Sequence, residues 1–137
     1  MWSFGCVYAQ MLLGQALFEA PDAMKQIKEI FKVLGTPTTE DLTAMNEKFK
    51  NFKYTQFSAV EWNKIFSKSM PNEAFSILQS LLVYNPTKRI KSINLLSFKF
   101  FDELFNDNIT LINGNNLPND LFKFTKNGNF YSNIIMG

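Results

Sequence analysis

Residues 2–13, WSFGCVYAQMLL, are almost wholly apolar, and only Ser3 and Gln10 are clearly polar. A helix that is apolar all round belongs in the middle of a core rather than on its surface. The segment is far shorter than the roughly 20 residues needed to span a bilayer, and Gly14 ends it. A buried helix at the start of the chain is therefore the first expectation. Cys6 reads as a small core residue within it, with no neighbouring cation to activate a thiolate.

The rest of the sequence is helical punctuation. Residues 23–34 carry Met24, Ile27, Phe31 and Leu34 on one stripe, widened by Ile30 and Val33, with Gly35 where a C-terminal cap belongs. Thr38 is placed to cap a short helix over 39–45, with Glu40 and Asp41 in its first turn. Residues 46–60 follow neither helical nor strand spacing. Phe49, Phe52, Tyr54 and Phe57 stand among Lys and Asn, which predicts an extended, aromatic-studded loop. Trp62, Ile65 and Phe66 suit one helical turn. Pro71 opens a helix that runs to about Tyr84 with Ala74, Ile77, Leu78, Leu81 and Leu82 inward, until Asn85-Pro86 stops it. Another short helix covers 91–98, and Phe98, Phe100, Phe101, Leu104 and Phe105 form an aromatic group. The stretch 106–120 is an Asn-rich loop, Leu121, Phe122 and Phe124 are candidates to dock it back, and the end from Gly128 is expected to fray. The expected class is all-α, with four or five helices and two long loops. A domain over 1–105 would be followed by a loop-rich tail over 106–137.

Composition narrows the function. The 137 residues suffice for one ordinary domain. Fourteen basic residues against twelve acidic ones give a net charge of +2, which excludes a strongly basic nucleic-acid binder. The run of Lys48, Lys50 and Lys53 among aromatics is too short to argue otherwise. No apolar run is long enough for a membrane span, and no secretion signal is visible. The chain has no His and one Cys. That removes His-dependent triads and His-rich metal schemes, and it suits a reducing compartment, cytosol or nucleus. Asp22, Glu40 and Asp41 read as loop and helix-start charges rather than an acid–base pair.

Several segments, taken in order, are more specific. Trp2-Ser3-x-Gly5-Cys6 resembles the D-x-W-S-x-G-C start of helix F in eukaryotic protein kinases, and Leu12 to Phe18 resembles the end of that helix and the loop after it. Ile30 to Thr38, IFKVLGTPT, resembles the end of helix G in the CMGC group. Asn85-Pro86-Thr87-Lys88-Arg89-Ile90 and Ser97 to Leu104 resemble the flanks of the last C-lobe helix. Leu117-Pro118-x-x-Leu121-Phe122-x-Phe124-Thr125 resembles the tail of the shaggy, or glycogen synthase kinase 3, subfamily. The match is almost gap-free from Met1 to about Thr125.

The resemblance implies the lower C-lobe of a serine/threonine kinase, helices F to I with the CMGC insert over the aromatic loop. Its parent would transfer the γ-phosphate of Mg-ATP to protein Ser or Thr. The chain itself contains no Gly-rich loop, no H-R-D and no D-F-G, so it is expected to be inactive alone, with no cofactor of its own. Met1 would fall inside helix F, which is what a truncated gene model, a partial sequence or a decayed gene gives. Trp2, Gly5 and Cys6 would be core residues of that helix. Trp2, Val7 and Met11 would lie on a face that preceding elements cover in the family, so the isolated chain is expected to be marginally stable or oligomeric.

Arg89 is the sole Arg among fourteen basic residues. It matches a family Arg that pairs with a Glu not present here, and an orphaned buried charge would cost on the order of 3–5 kcal/mol. In shaggy-type kinases the helix G region docks scaffold proteins of the axin type. By that resemblance Met24, Ile27, Phe31, Phe49, Phe52 and Tyr54 are the candidate docking residues for an amphipathic helix. Lys28 departs from the family, which has an apolar residue there, so the partner surface is altered. The alternatives are a non-catalytic interaction module that keeps only this groove, and an unrelated all-α domain in which these side chains simply cover the core.

Overall fold

The structure, a computed structural model, describes residues 1–67, 70–106 and 109–118. It is all-α. Among the described residues the helices are α1 (Trp2–Leu13), α2 (Ala23–Leu34), α3 (Thr39–Met45), α4 (Trp62–Ile65), α5 (Asn72–Leu81) and α6 (Ser92–Leu95), with 3₁₀ turns at Glu47–Phe49 and Lys99–Phe105. The one β feature described is an isolated antiparallel bridge between Thr110 and Asn116. The chain gathers into two compact units, Met1–Ile90 and a second beginning at Lys91. The change at 105–106 read from composition is a change in residue type, aromatic to Asn-rich.

In the first unit α1 packs on α5. The approach is close because Gly5 has no side chain: a Cβ there would stand 2.9 Å from Leu81 Cβ and 2.9 Å from Leu82 Cδ2. Ala9 continues the small-residue contact surface and is fully buried. Opposite it Ile77, Leu78 and Leu81 are fully buried, each contributing roughly 1.5–3 kcal/mol. Ala74 and Leu82 complete the inward stripe that the spacing predicts.

Two expectations are corrected here. α1 is not buried all round: Gly5, Tyr8 and Ala9 are buried, whereas Val7 is 54% and Met11 77% exposed, and Phe4 is exposed beside them. Among the described residues, α5 is the helix that packs against α1, and it lies on the Gly5–Ala9 side. Cys6 is accordingly half-buried, and burial pushes its thiol pKa up. Second, α5 ends at Leu81 rather than near Tyr84. Leu82 leaves helical geometry with ψ 54°, and the Ile90 N–H donates to the Ser80 carbonyl at 3.2 Å as the returning chain crosses the helix end.

The capping chemistry is local. The Thr38 hydroxyl accepts from the Asp41 N–H at 3.1 Å, and the Asp41 carboxylate accepts from the Thr38 N–H at 3.0 Å, a reciprocal box. Asp22 caps α2 by accepting from the Lys25 N–H at 2.9 Å. In the second unit Leu95 is buried, and Phe100 and Phe101 meet edge to face at 5.2 Å. The helix expected over 91–98 is only Ser92–Leu95, followed by turns. Leu121, Phe122, Phe124 and the end from Gly128 lie outside the described residues.

Candidate functional site

The aromatic loop is fastened to the end of α2 by Thr36. Its hydroxyl donates to the Thr55 carbonyl at 2.8 Å and accepts from the Phe57 N–H at 2.9 Å. The Thr36 N–H donates to the Phe57 carbonyl at 3.1 Å, and the Val60 N–H to the Val33 carbonyl at 2.9 Å. Residues 57–60 therefore run antiparallel past 33–36. Gly35 permits this approach. Its φ is +82°, and a Cβ there would stand 3.1 Å from the Ala59 nitrogen.

Held this way, the loop sets four rings in series. Phe31 meets Tyr54 edge to face at 5.1 Å, Tyr54 stacks on Phe52 at 6.0 Å, and Phe52 meets Phe49 edge to face at 5.6 Å. The loop is extended as its spacing predicts, apart from the 3₁₀ turn at Glu47–Phe49. Burial grades along the series. Phe31 is only 8% exposed, Tyr54 is half-buried, and Phe49 and Phe52 are exposed, Phe52 to 57%. Phe31 is thus a floor residue rather than a free contact. Met24 and Ile27 lie two turns and one turn before it on the same stripe of α2, and both are exposed, Met24 to 75%. The exposed apolar side chains here are Met24 and Ile27 on α2 and Phe49 and Phe52 on the loop, the loop pair running back through Tyr54 to Phe31. Such an apolar face, rimmed by lysines, is the kind of surface that takes an amphipathic helix.

The ring series continues inward. Phe31 meets Tyr84 at 6.2 Å, Tyr84 stacks on Trp2 at 5.9 Å, and Trp2 stacks on Phe18 at 6.5 Å. The Tyr84 hydroxyl donates to the Gly35 carbonyl at 2.7 Å. Burial, reinforced by the Asp41 charge, pushes the Tyr84 phenol well above its ordinary range, so it remains a donor. Trp2 is therefore covered, unlike Val7 and Met11.

Arg89 closes the stack. Its Nε donates to the Val83 carbonyl at 2.9 Å, Nη2 to the Tyr84 carbonyl at 3.2 Å, and Cζ lies 5.2 Å from the Trp2 ring centroid. The penalty expected for an orphaned buried charge does not arise. Arg89 is half-exposed, two carbonyls accept from its guanidinium, and the indole face supplies an attraction of about 0.5–2 kcal/mol. Desolvation lowers its pKa. The geometry is set by buried Asn85, whose side-chain oxygen accepts from the Thr87 N–H at 2.9 Å and hydroxyl at 2.7 Å. Its carbonyl accepts from the Lys88 and Arg89 N–H groups.

Among the described residues no group of three or more Cys, Asp or Glu side chains could hold a metal ion. Among them, no helix is long and apolar enough to cross a membrane. Asp22, Glu40 and Asp41 lie at helix starts, Asp22 and Asp41 in caps and Glu40 paired to Lys88 at 2.7 Å. No protein-family model matches the chain.

Sequence reasoning missed Thr36 and Tyr84. A signal for Thr36 exists in the Gly-Thr-Pro run, where a residue after a non-helical Gly keeps free backbone groups. Tyr84, read as the last turn of a helix, carries no local sign of its hydrogen bond to Gly35.

Proposed function

We propose that this chain is the lower C-lobe region of a shaggy-type serine/threonine kinase, and that its own working surface is a docking face for an amphipathic helix of a scaffold protein. The kinase part is supported by the ordered motifs from Trp2 to Leu117. Phosphotransfer with Mg-ATP belongs to the parent enzyme; the residues here supply platform and docking. A role as a stand-alone interaction module uses the same face and differs only in the absence of a catalytic parent.

The observation that carries the docking reading is the exposed set of Met24 and Ile27 on α2 and Phe49 and Phe52 on the loop, whose rings run back through Tyr54 to Phe31 while Thr36 fastens the loop at Thr55 and Phe57. A backbone already held by hydrogen bonds loses little further entropy on binding, which leaves side-chain rotamers as the main ordering cost. The test is fluorescence anisotropy with a labelled amphipathic helix. Micromolar binding is expected, weakened roughly tenfold or more by Phe52→Ala, in the range of a contact that anchors an interface. A folded sample that binds no such helix overturns the docking reading. Immunoblotting of cell extract with antibody raised against residues 106–127 separates the two forms. A band at kinase size supports the parent enzyme, and a band near the 15.8 kDa of this chain the stand-alone module.

A further inference from the structure

The charges around the docking face are unequally used. Asp22, Glu29 and Glu47 are the nearest carboxylates along the chain. Each is already paired with a lysine three residues on: Asp22 with Lys25 at 3.3 Å, Glu29 with Lys32 at 2.6 Å, Glu47 with Lys50 at 2.9 Å. Lys28, Lys48 and Lys53 remain. All three are exposed, and among the described residues no carboxylate is paired with any of them. Their places are not random. Lys28 follows Ile27 and stands one turn beyond Met24, inside the apolar stripe of α2. Lys48 precedes Phe49, and Lys53 lies between Phe52 and Tyr54. Three free cations therefore interleave the exposed apolar side chains.

We infer, resting on the docking reading, that the occupant is an acidic amphipathic helix, with an apolar face for Met24, Ile27, Phe49 and Phe52 and a carboxylate set against Lys28. A basic or neutral helix would bury or crowd Lys28 without compensation, which disfavours it. A single-stranded nucleic acid fits less well. Met24 and Ile27 offer no ring to stack on, and Phe52 and Tyr54 already stack on each other.

The experiment uses the full chain and three designed helices with one shared Leu-rich face and flanks of Glu, Gln or Lys. Affinities are read by fluorescence anisotropy at low and at physiological salt. The Glu-flanked helix is expected to bind about fivefold tighter than the Gln-flanked one, as a few partly exposed ion pairs provide, and to weaken with salt. The exposed Lys28→Glu variant is expected to reverse the order of the Glu- and Lys-flanked helices while keeping its circular dichroism. Equal binding of all three helices, or no effect of Lys28→Glu, overturns the acidic partner and leaves the docking face standing. Binding of none overturns both. An oligothymidylate that displaces the Glu-flanked helix at lower concentration than an unlabelled copy of that helix also overturns the acidic-helix assignment.

Discussion

At the residue scale, Gly5 sets how closely two helices meet. Two effects of Gly5→Ala oppose each other. Ala favours the helix by about 0.5–1 kcal/mol. The new methyl would meet Leu81 Cβ at 2.9 Å, an atom fixed to the α5 backbone, so the helices must part. Overpacking of this kind costs about 1–3 kcal/mol. The clash wins, and a net loss of about 1–2 kcal/mol is expected in urea unfolding. An unchanged or higher midpoint would show that α1 and α5 are not in this contact. Arg89 makes the complementary point. Its value here comes from the planar fork that reaches two carbonyls while lying over Trp2, which a lysine ammonium does not reproduce.

At the scale of elements, what could be read in the sequence was what is decided within a few residues. The bounds of α2 follow from the 24–27–31–34 stripe closed by Gly35, and α3 follows from the Thr38–Asp41 box; both fall where the pattern puts them. The end of α5 was not legible, because the chain crossing at Ile90 decides it rather than any residue inside the helix. The docking candidates were half legible. Aromatics that fit neither period marked the loop, but which rings are floor and which are exposed depends on Thr36, whose partners lie 19 and 21 residues away. Thr36→Val tests that clamp. It keeps the shape, removes the acceptor of the Phe57 N–H, and leaves the Thr36 N–H bond in place. Thr55 is exposed, so water replaces part of the loss, and a cost near the low end of about 1–3 kcal/mol is expected. Hydrogen exchange at the Phe57 amide should quicken about tenfold while α5 amides keep their protection, since local opening is separable from global unfolding. Equal acceleration in α5 would mean the loop and core open together.

At the scale of the whole molecule, the tension lies on the outer side of α1. A helix this apolar satisfies its sequence only when covered on every side, yet α5 lines one side, the Trp2–Phe18–Tyr84 stack protects one end, and Phe4, Val7 and Met11 face water. In the kinase reading this side is where preceding elements of a longer chain would rest. In isolation it is an aggregation surface. The chain alone is therefore expected to self-associate with rising concentration, and a Val7→Lys, Met11→Lys double variant to sediment as a monomer at concentrations where the unaltered chain does not. Both positions are more than half exposed, so the substitutions leave the α1–α5 contact intact and helicity by circular dichroism should not change. Sedimentation velocity decides it. If the unaltered chain is monomeric throughout, the exposed apolar side is tolerated and needs no cover; if both associate alike, the contact lies elsewhere, and the exposed Met24, Ile27, Phe49 and Phe52 become the next positions to charge.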